Sequence, residues 1–178
     1  MSFGNLIAFI KNDFRHYLKA GQSLKSKIGA SIIVLFEPGF WSLFYYRWSH
    51  YFFKKRLAIF GLFFMRLNKF LNHVDISYEC EIGQRLRLPH CCDIVIGATS
   101  VIGDDVEILN GVTLGASEVR KEGKRHPTIK NRVFIGSGAK VLGDIVINEG
   151  VSIGANAVVL KSVEANQTVV GIPARSIT

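Results

Sequence analysis

From Ile76 almost to the end of the chain, an aliphatic residue returns at every sixth position. Ile76, Ile82 and Leu88 form one register. After a two-residue slip come Ile96, Ile102, Ile108 and Leu114. After a longer insertion come Ile129, Ile135, Val141, Ile147, Ile153 and Val159. Gly follows the aliphatic at 83, 97, 103, 115, 136 and 154. A small or β-branched residue precedes it by two, as at Val106, Val112, Val133, Ala139, Ile145, Val151 and Ala157. This is the hexapeptide pattern of a parallel β-helix. Each hexapeptide makes one short strand and one turn, and three strands close a triangular coil. The aliphatic points inward and stacks on its equivalents, so neighbouring coils hold one another. The expectation for the repeat glycines is that they supply corner dihedrals other residues resist.

Charge divides the chain at the start of the repeat. Residues 1–74 carry eleven Lys/Arg against Asp13 and Glu37, whereas residues 75–178 carry eleven against twelve acids. Twelve of thirteen Phe, both Trp and four of five Tyr also precede residue 75. Two modules are expected, 1–73 helical and 74–178 β-helical. Residues 3–20 and 40–72 read as helices, the second after the breaker Glu37-Pro38-Gly39 and apolar over most of its circumference. Such a module either packs against itself and sister subunits or lies on an anionic membrane surface, and both can hold at once. Nothing spans a bilayer: Glu37, Arg47, Lys54–Arg56 and Arg66 interrupt every apolar run, and a span needs about 20 residues. The segment MSFGNLIAFIKNDF lacks the basic cluster and cleavage site of a signal peptide.

Cys80, Cys91 and Cys92 form neither a disulfide framework nor a CxxC pair. They fit a reducing cytoplasm as small buried hydrophobes, and no metal is expected. Nucleic-acid binding fits poorly, because the basic residues lie among buried-type aromatics.

Seven stretches resemble the serine acetyltransferase branch of the left-handed β-helix acyltransferases: VDISYECEIG, PHCCDIVIG, GVTLGA, GKRHPTI, IGSGAKVLGDI, IGANAVVLKSV and VVGIPAR. Gly39, Arg47 and His50 add a weaker match in the helical part. The resemblance implies left-handed winding, acetyl transfer from acetyl-CoA to an oxygen, and a homotrimer or dimer of trimers. His90 matches the catalytic histidine, and an imidazole titrating near 6.5 suits a general base. Asp75 matches its carboxylate partner; the alternative is an Asp capping the first turn. Arg125 and His126, in the insertion GASEVRKEGKRHPT, match the active-site pair and are expected to orient substrate or stabilise an oxyanion. Charge and Gly123 make that loop exposed and mobile. Gly115, Ala116, Ser137, Gly138 and Ala155 are expected along the pantetheine arm in the groove between subunits. Lys140 and Lys161 are either phosphate ligands or exposed turn residues.

Pro89 departs from the family, where an Asp precedes the histidine and helps hold the substrate ammonium. Proline offers neither charge nor N–H. The family's second carboxylate, in an Asp-Pro-Ala motif, falls near Leu24-Lys25-Ser26. An acceptor without an ammonium is therefore expected: a sugar hydroxyl or lipid-linked saccharide of capsule or exopolysaccharide synthesis, reached from the cytoplasm at the inner membrane face. The alternatives are serine O-acetylation, with Glu37, Glu79 or Asp93 then holding the ammonium, acetylation of an antibiotic or small alcohol, and a non-catalytic β-helix.

Overall fold

The computed structural model describes residues 1–20, 32–117 and 123–177. Helices α1 (Phe3–Ala20), α2 (Pro38–Lys54) and α3 (Ala58–Asn72) lead, and residues 32–34 are also helical. Leu6, Asp13 and Tyr17 share one face of α1, and all three are buried. Pro38 starts α2 at a position where its missing N–H costs nothing.

The single helix expected over 40–72 is two. Arg56 turns left-handed (φ 60°) and stops α2. Its N–H bonds the Phe53 carbonyl, and the Leu57 N–H bonds the Phe52 carbonyl, both at 2.9 Å. This is the paired closure that usually carries glycine. With arginine in the role, no residue type announced the break.

Fourteen strands of two or three residues follow, β1 (Val74–Ile76) to β14 (Arg175–Ser176). They form three sheets, ordered β1-β3-β6-β9-β12, β10-β7-β4-β2 and β14-β13-β11-β8-β5. Every pairing is parallel except β13 with β14. Ile76, Ile96, Leu114, Val141 and Val159 stack in register up the first sheet and are buried. Ile82, Ile102, Ile129 and Ile147 do the same in the second. An ordinary coil takes 18 residues, as from Ile96 to Leu114. The first takes 20, from Ile76 to Ile96, and the third takes 27, from Leu114 to Val141.

The repeat glycines work differently from expectation. Gly83, Gly97, Gly103, Gly115, Gly136 and Gly154 are absent from the positive-φ positions. The left-handed corners belong instead to two columns. One runs through His73, Asp93, Gly111, Gly138 and Asn156, the other through Arg85, Asp105, Arg132, Gly150 and Asn166. Gly136 and its kind are needed for close stacking: a Cβ there would sit 2.7 Å from the Ala155 nitrogen of the next coil.

The cysteines divide. Cys80 is buried, Cys91 half-buried and Cys92 exposed, so the buried-hydrophobe expectation fits only the first. Burial pushes the Cys80 thiol up to about 12 and the Cys91 thiol to about 11.

A buried clamp joins helices to β-helix. Arg47 Nε donates to Asp13 Oδ2 at 2.9 Å, linking α2 to α1. Its terminal nitrogens donate to the Ile82 carbonyl (2.7 Å) and the Gly83 carbonyl (2.6 Å). Tyr46 Oη donates to the Cys80 carbonyl, and the Leu88 N–H donates to Tyr17 Oη. Gly39 lets α2 approach, since a Cβ there would lie 2.5 Å from the Leu88 oxygen. His50 Nδ1 donates to the Tyr78 carbonyl. Breaking one member of a buried pair costs about 3–5 kcal/mol. Asp13→Ala should therefore lower the urea midpoint by that equivalent; an unchanged midpoint would show the clamp to be incidental.

Candidate active site

His90 sits where the first coil is two residues too long. An ordinary corner at this edge, Leu109-Asn110-Gly111, needs one left-handed residue, Gly111. The longer corner Pro89–Asp93 has two, with His90 at φ 53° and Asp93 at φ 54°. Asp93 is the column member, its N–H bonding the His73 carbonyl. His90 is the extra residue, bulged outward and exposed. Pro89 is half-buried beside it.

Asp75 lies on β1, one coil away. Its Oδ2 takes the Lys69 ammonium of α3 at 2.6 Å, and among the described residues no ion pair joins it to His90. The last turn of α3 thus delivers a cation to the carboxylate that the resemblance pairs with His90. Asp75, Lys69, His73 and Asp93 line a cleft of about 270 Å³.

Arg125 and His126 occupy a different corner, between β6 and β7 (Thr128–Ile129). His90 lies between Arg87, which bridges to Glu107 of β5 in the third sheet, and β3 of the first, so the two histidines stand on different edges of one prism. The loop was expected to be exposed, yet His126 is buried; residues 118–122 lie outside the described set.

Thr99 holds this pair. Its Oγ1 accepts the Arg125 N–H at 2.9 Å and the His126 N–H at 3.1 Å. With both lone pairs used, its own proton goes to His126 Nδ1, 2.8 Å away. The Thr99 N–H also donates to that nitrogen at 3.2 Å. Nδ1 accepts twice, so the ring proton is on Nε2. Burial, then the charges of Arg125 and Lys124, lower the His126 pKa below its ordinary 6.5. His126 is therefore a neutral donor at neutral pH rather than a base. A Cβ on Gly97 would overlap its ring. Sequence reading missed Thr99 and Lys69; neither falls in a motif, and only folding brings them to the site.

The expected coenzyme residues also split between edges. Gly115 and Ala116 stand at the His126 edge; Ser137, Gly138 and Ala155 stand at the His90 edge. Ser137 Oγ donates to Asn110 Oδ1 at 2.9 Å. The Lys140 ammonium is taken up by the Gly111 carbonyl (2.6 Å) and Thr113 Oγ1 (3.1 Å), which pins it to the sheet. Lys161 lines a cleft of about 390 Å³ with Arg175. Arg125 and Lys124 line another, of about 250 Å³, with Ser117 and Asp144.

Residues 126–161 match the bacterial transferase hexapeptide (six repeats) family. The chain is 44% identical over 146 residues to serine acetyltransferase of Helicobacter pylori (strain ATCC 700392 / 26695), covering 82% of this chain and 85% of that one. The chain belongs to the serine acetyltransferase family. It is an acyltransferase. The Synechococcus elongatus serine acetyltransferase is 43% identical over 82% of this chain, a match spanning only 59% of that longer protein. Serine acetyltransferase in complex with coenzyme A from Brucella abortus strain S19 superposes with a TM-score of 0.88 at 33% identity, covering 98% of this chain and 68% of that one. These relatives overturn the saccharide acceptor and the capsule or exopolysaccharide role inferred from Pro89. That inference weighed only the residue before His90 and the segment near Lys25. It kept Asp93, three residues on in the same bulged corner, only among the carboxylates for serine should that inference fail; residues 24–26 lie outside the described set.

Because Gly97 has ordinary φ, alanine fits its backbone, and the three atoms nearest its Cβ all belong to the His126 ring. Gly97→Ala should lower kcat about 10²–10³-fold, the scale of losing an oxyanion donor, with little change in thermal midpoint. Wild-type turnover would remove His126 from the chemistry.

Proposed function

We propose that the chain is a serine O-acetyltransferase using acetyl-CoA, with residues 1–73 as a helical module and 74–178 as a left-handed β-helix. The observation that carries this reading is the 44% identity spread over 85% of the Helicobacter pylori serine acetyltransferase. The stretch containing His90 and the Arg125-His126 pair support it. His90 takes the serine hydroxyl proton as the oxygen attacks the thioester carbonyl. The tetrahedral oxyanion faces the Nε2–H of His126 and the Arg125 guanidinium. Collapse expels the coenzyme A thiolate, which recovers the proton from His90. Lys161 and Arg175 are the cations for the coenzyme phosphates, in place of the pinned Lys140.

Two edges of one prism cannot close on one substrate, so the site is assembled from two copies in a homotrimer. His90 comes from one chain and His126 from the next, with the pantetheine arm in the groove between them. Pro89 leaves the ammonium to Asp93. Glu37 stands instead at the N-terminus of α2, and Glu79 at the edge that carries His126.

L-serine should be acetylated with kcat/KM of about 10⁴ M⁻¹s⁻¹ or more; no turnover at millimolar serine would sink this reading. His90→Ala should cost at least about 10² in kcat. Asp93→Asn should raise KM for serine about 30-fold or more, the lower end for unpairing a desolvated charge. KM for acetyl-CoA should stay unchanged, and equal effects on both would make Asp93 a structural residue.

A further inference from the structure

Helix α3 is inside out. Its buried residues are Gly61, Asn68 and Asn72, one face of the helix. Asn68 Nδ2 donates to the Ser42 carbonyl and Asn72 Nδ2 to Asn68 Oδ1, so the amides are satisfied against α2. The opposite face carries Ile59, Phe63 and Phe70, exposed by 76%, 60% and 78%, with Arg66 between them. Helical spacing aligns these four in one stripe. Phe60, Leu62 and Leu71 flank it and are also exposed.

The apolar face extends beyond α3. Ring contacts run from Phe63 to Phe64, from Phe64 to Trp48 and Phe52, and from Trp48 to Phe3 of α1. Phe3 is itself 55% exposed. Lys55 lies over the Tyr51 ring at the same end. Residues 38–74 contain no Asp or Glu against six Lys/Arg. Arg47 is consumed in the buried clamp and Lys54 pairs with Glu81. Lys55, Arg56 and Arg66 remain at the surface around the apolar face.

We infer that this face is a docking surface for an anionic lipid bilayer. Charge decides between occupants. A second copy applying the same face about a two-fold axis would bring Arg66 and its neighbours against like charge, with no carboxylate from either α2 or α3 to neutralise them, while the copies of the proposed trimer meet along the prism edges that carry His90 and His126. Anionic headgroups supply the missing charge while the stripe enters the acyl boundary and the long cationic stems reach back to the headgroups. Among the described residues no helix is long and apolar enough to cross a membrane, so the association is peripheral.

The test is flotation of the full chain with phosphatidylcholine vesicles with and without phosphatidylglycerol. Sedimentation velocity and acetyl transfer are measured on the same samples. Flotation should require phosphatidylglycerol and fall about tenfold or more when salt shortens the screening length to about 3 Å. The double variant Phe63→Ser/Phe70→Ser should lose flotation and keep transfer activity and sedimentation, since both rings are exposed. Arg66→Glu should act alike without touching the apolar area. Absence of flotation at low salt, or equal flotation on neutral vesicles, would overturn the inference. So would variants whose sedimentation falls while flotation persists, which would assign the face to a second copy.

Discussion

The coils of this β-helix hold one another through inward aliphatics that fall directly above their counterparts, Ile76 to Ile96 to Leu114 in the first sheet. A residue added within a strand would turn the next aliphatic outward. Extra residues can therefore leave the stack only at corners. Two corners take them: the two-residue bulge that carries His90, and the nine-residue excess that carries Arg125 and His126. Elsewhere the coils repeat at 18 residues, apart from the last, which takes 16 from Ile153 to Val169. The candidate site residues occupy the places where the scaffold's own rule is broken, and regular coils stack next to those places.

The helical module shares the scaffold's core cluster through Phe40, Leu43 and Tyr46, and polar anchors orient it there. Arg47 spans Asp13, Ile82 and Gly83, Tyr46 reaches Cys80, and Tyr17 receives Leu88. Such bonds fix orientation where apolar contact alone would allow sliding. They also leave α3 free to turn its amides inward, toward Ser42, and its phenylalanines outward. One end of this module reaches the site itself: Lys69, in the last turn of α3, takes the Asp75 carboxylate.

Periodicity made the β-helix legible, because each of its coils depends on the same inward aliphatic at the same spacing. Motifs made His90, Arg125 and His126 legible as candidates. Three things were hidden for physical reasons. The break at Arg56 uses a left-handed arginine where glycine is the usual sign. Thr99 and Lys69 act through contacts 26–27 and six residues away in sequence, with nothing in their neighbours to mark them. The acceptor was misread at Pro89 because a charge missing beside a histidine was taken as missing from the site. Asp93, at the ordinary left-handed position of the same corner, is the carboxylate proposed in its place.

The proposed site, divided between two edges of the prism, is completed between two chains. Co-expressing His90→Ala and His126→Ala chains under different affinity tags, and purifying the mixed oligomers by both tags in turn, tests this directly. A shared site predicts that each single variant is inactive while the mixed oligomer acetylates L-serine, because one interface pairs an intact His90 with an intact His126. Mixed oligomers no more active than either parent would contradict it, and would place the whole reaction within a single chain.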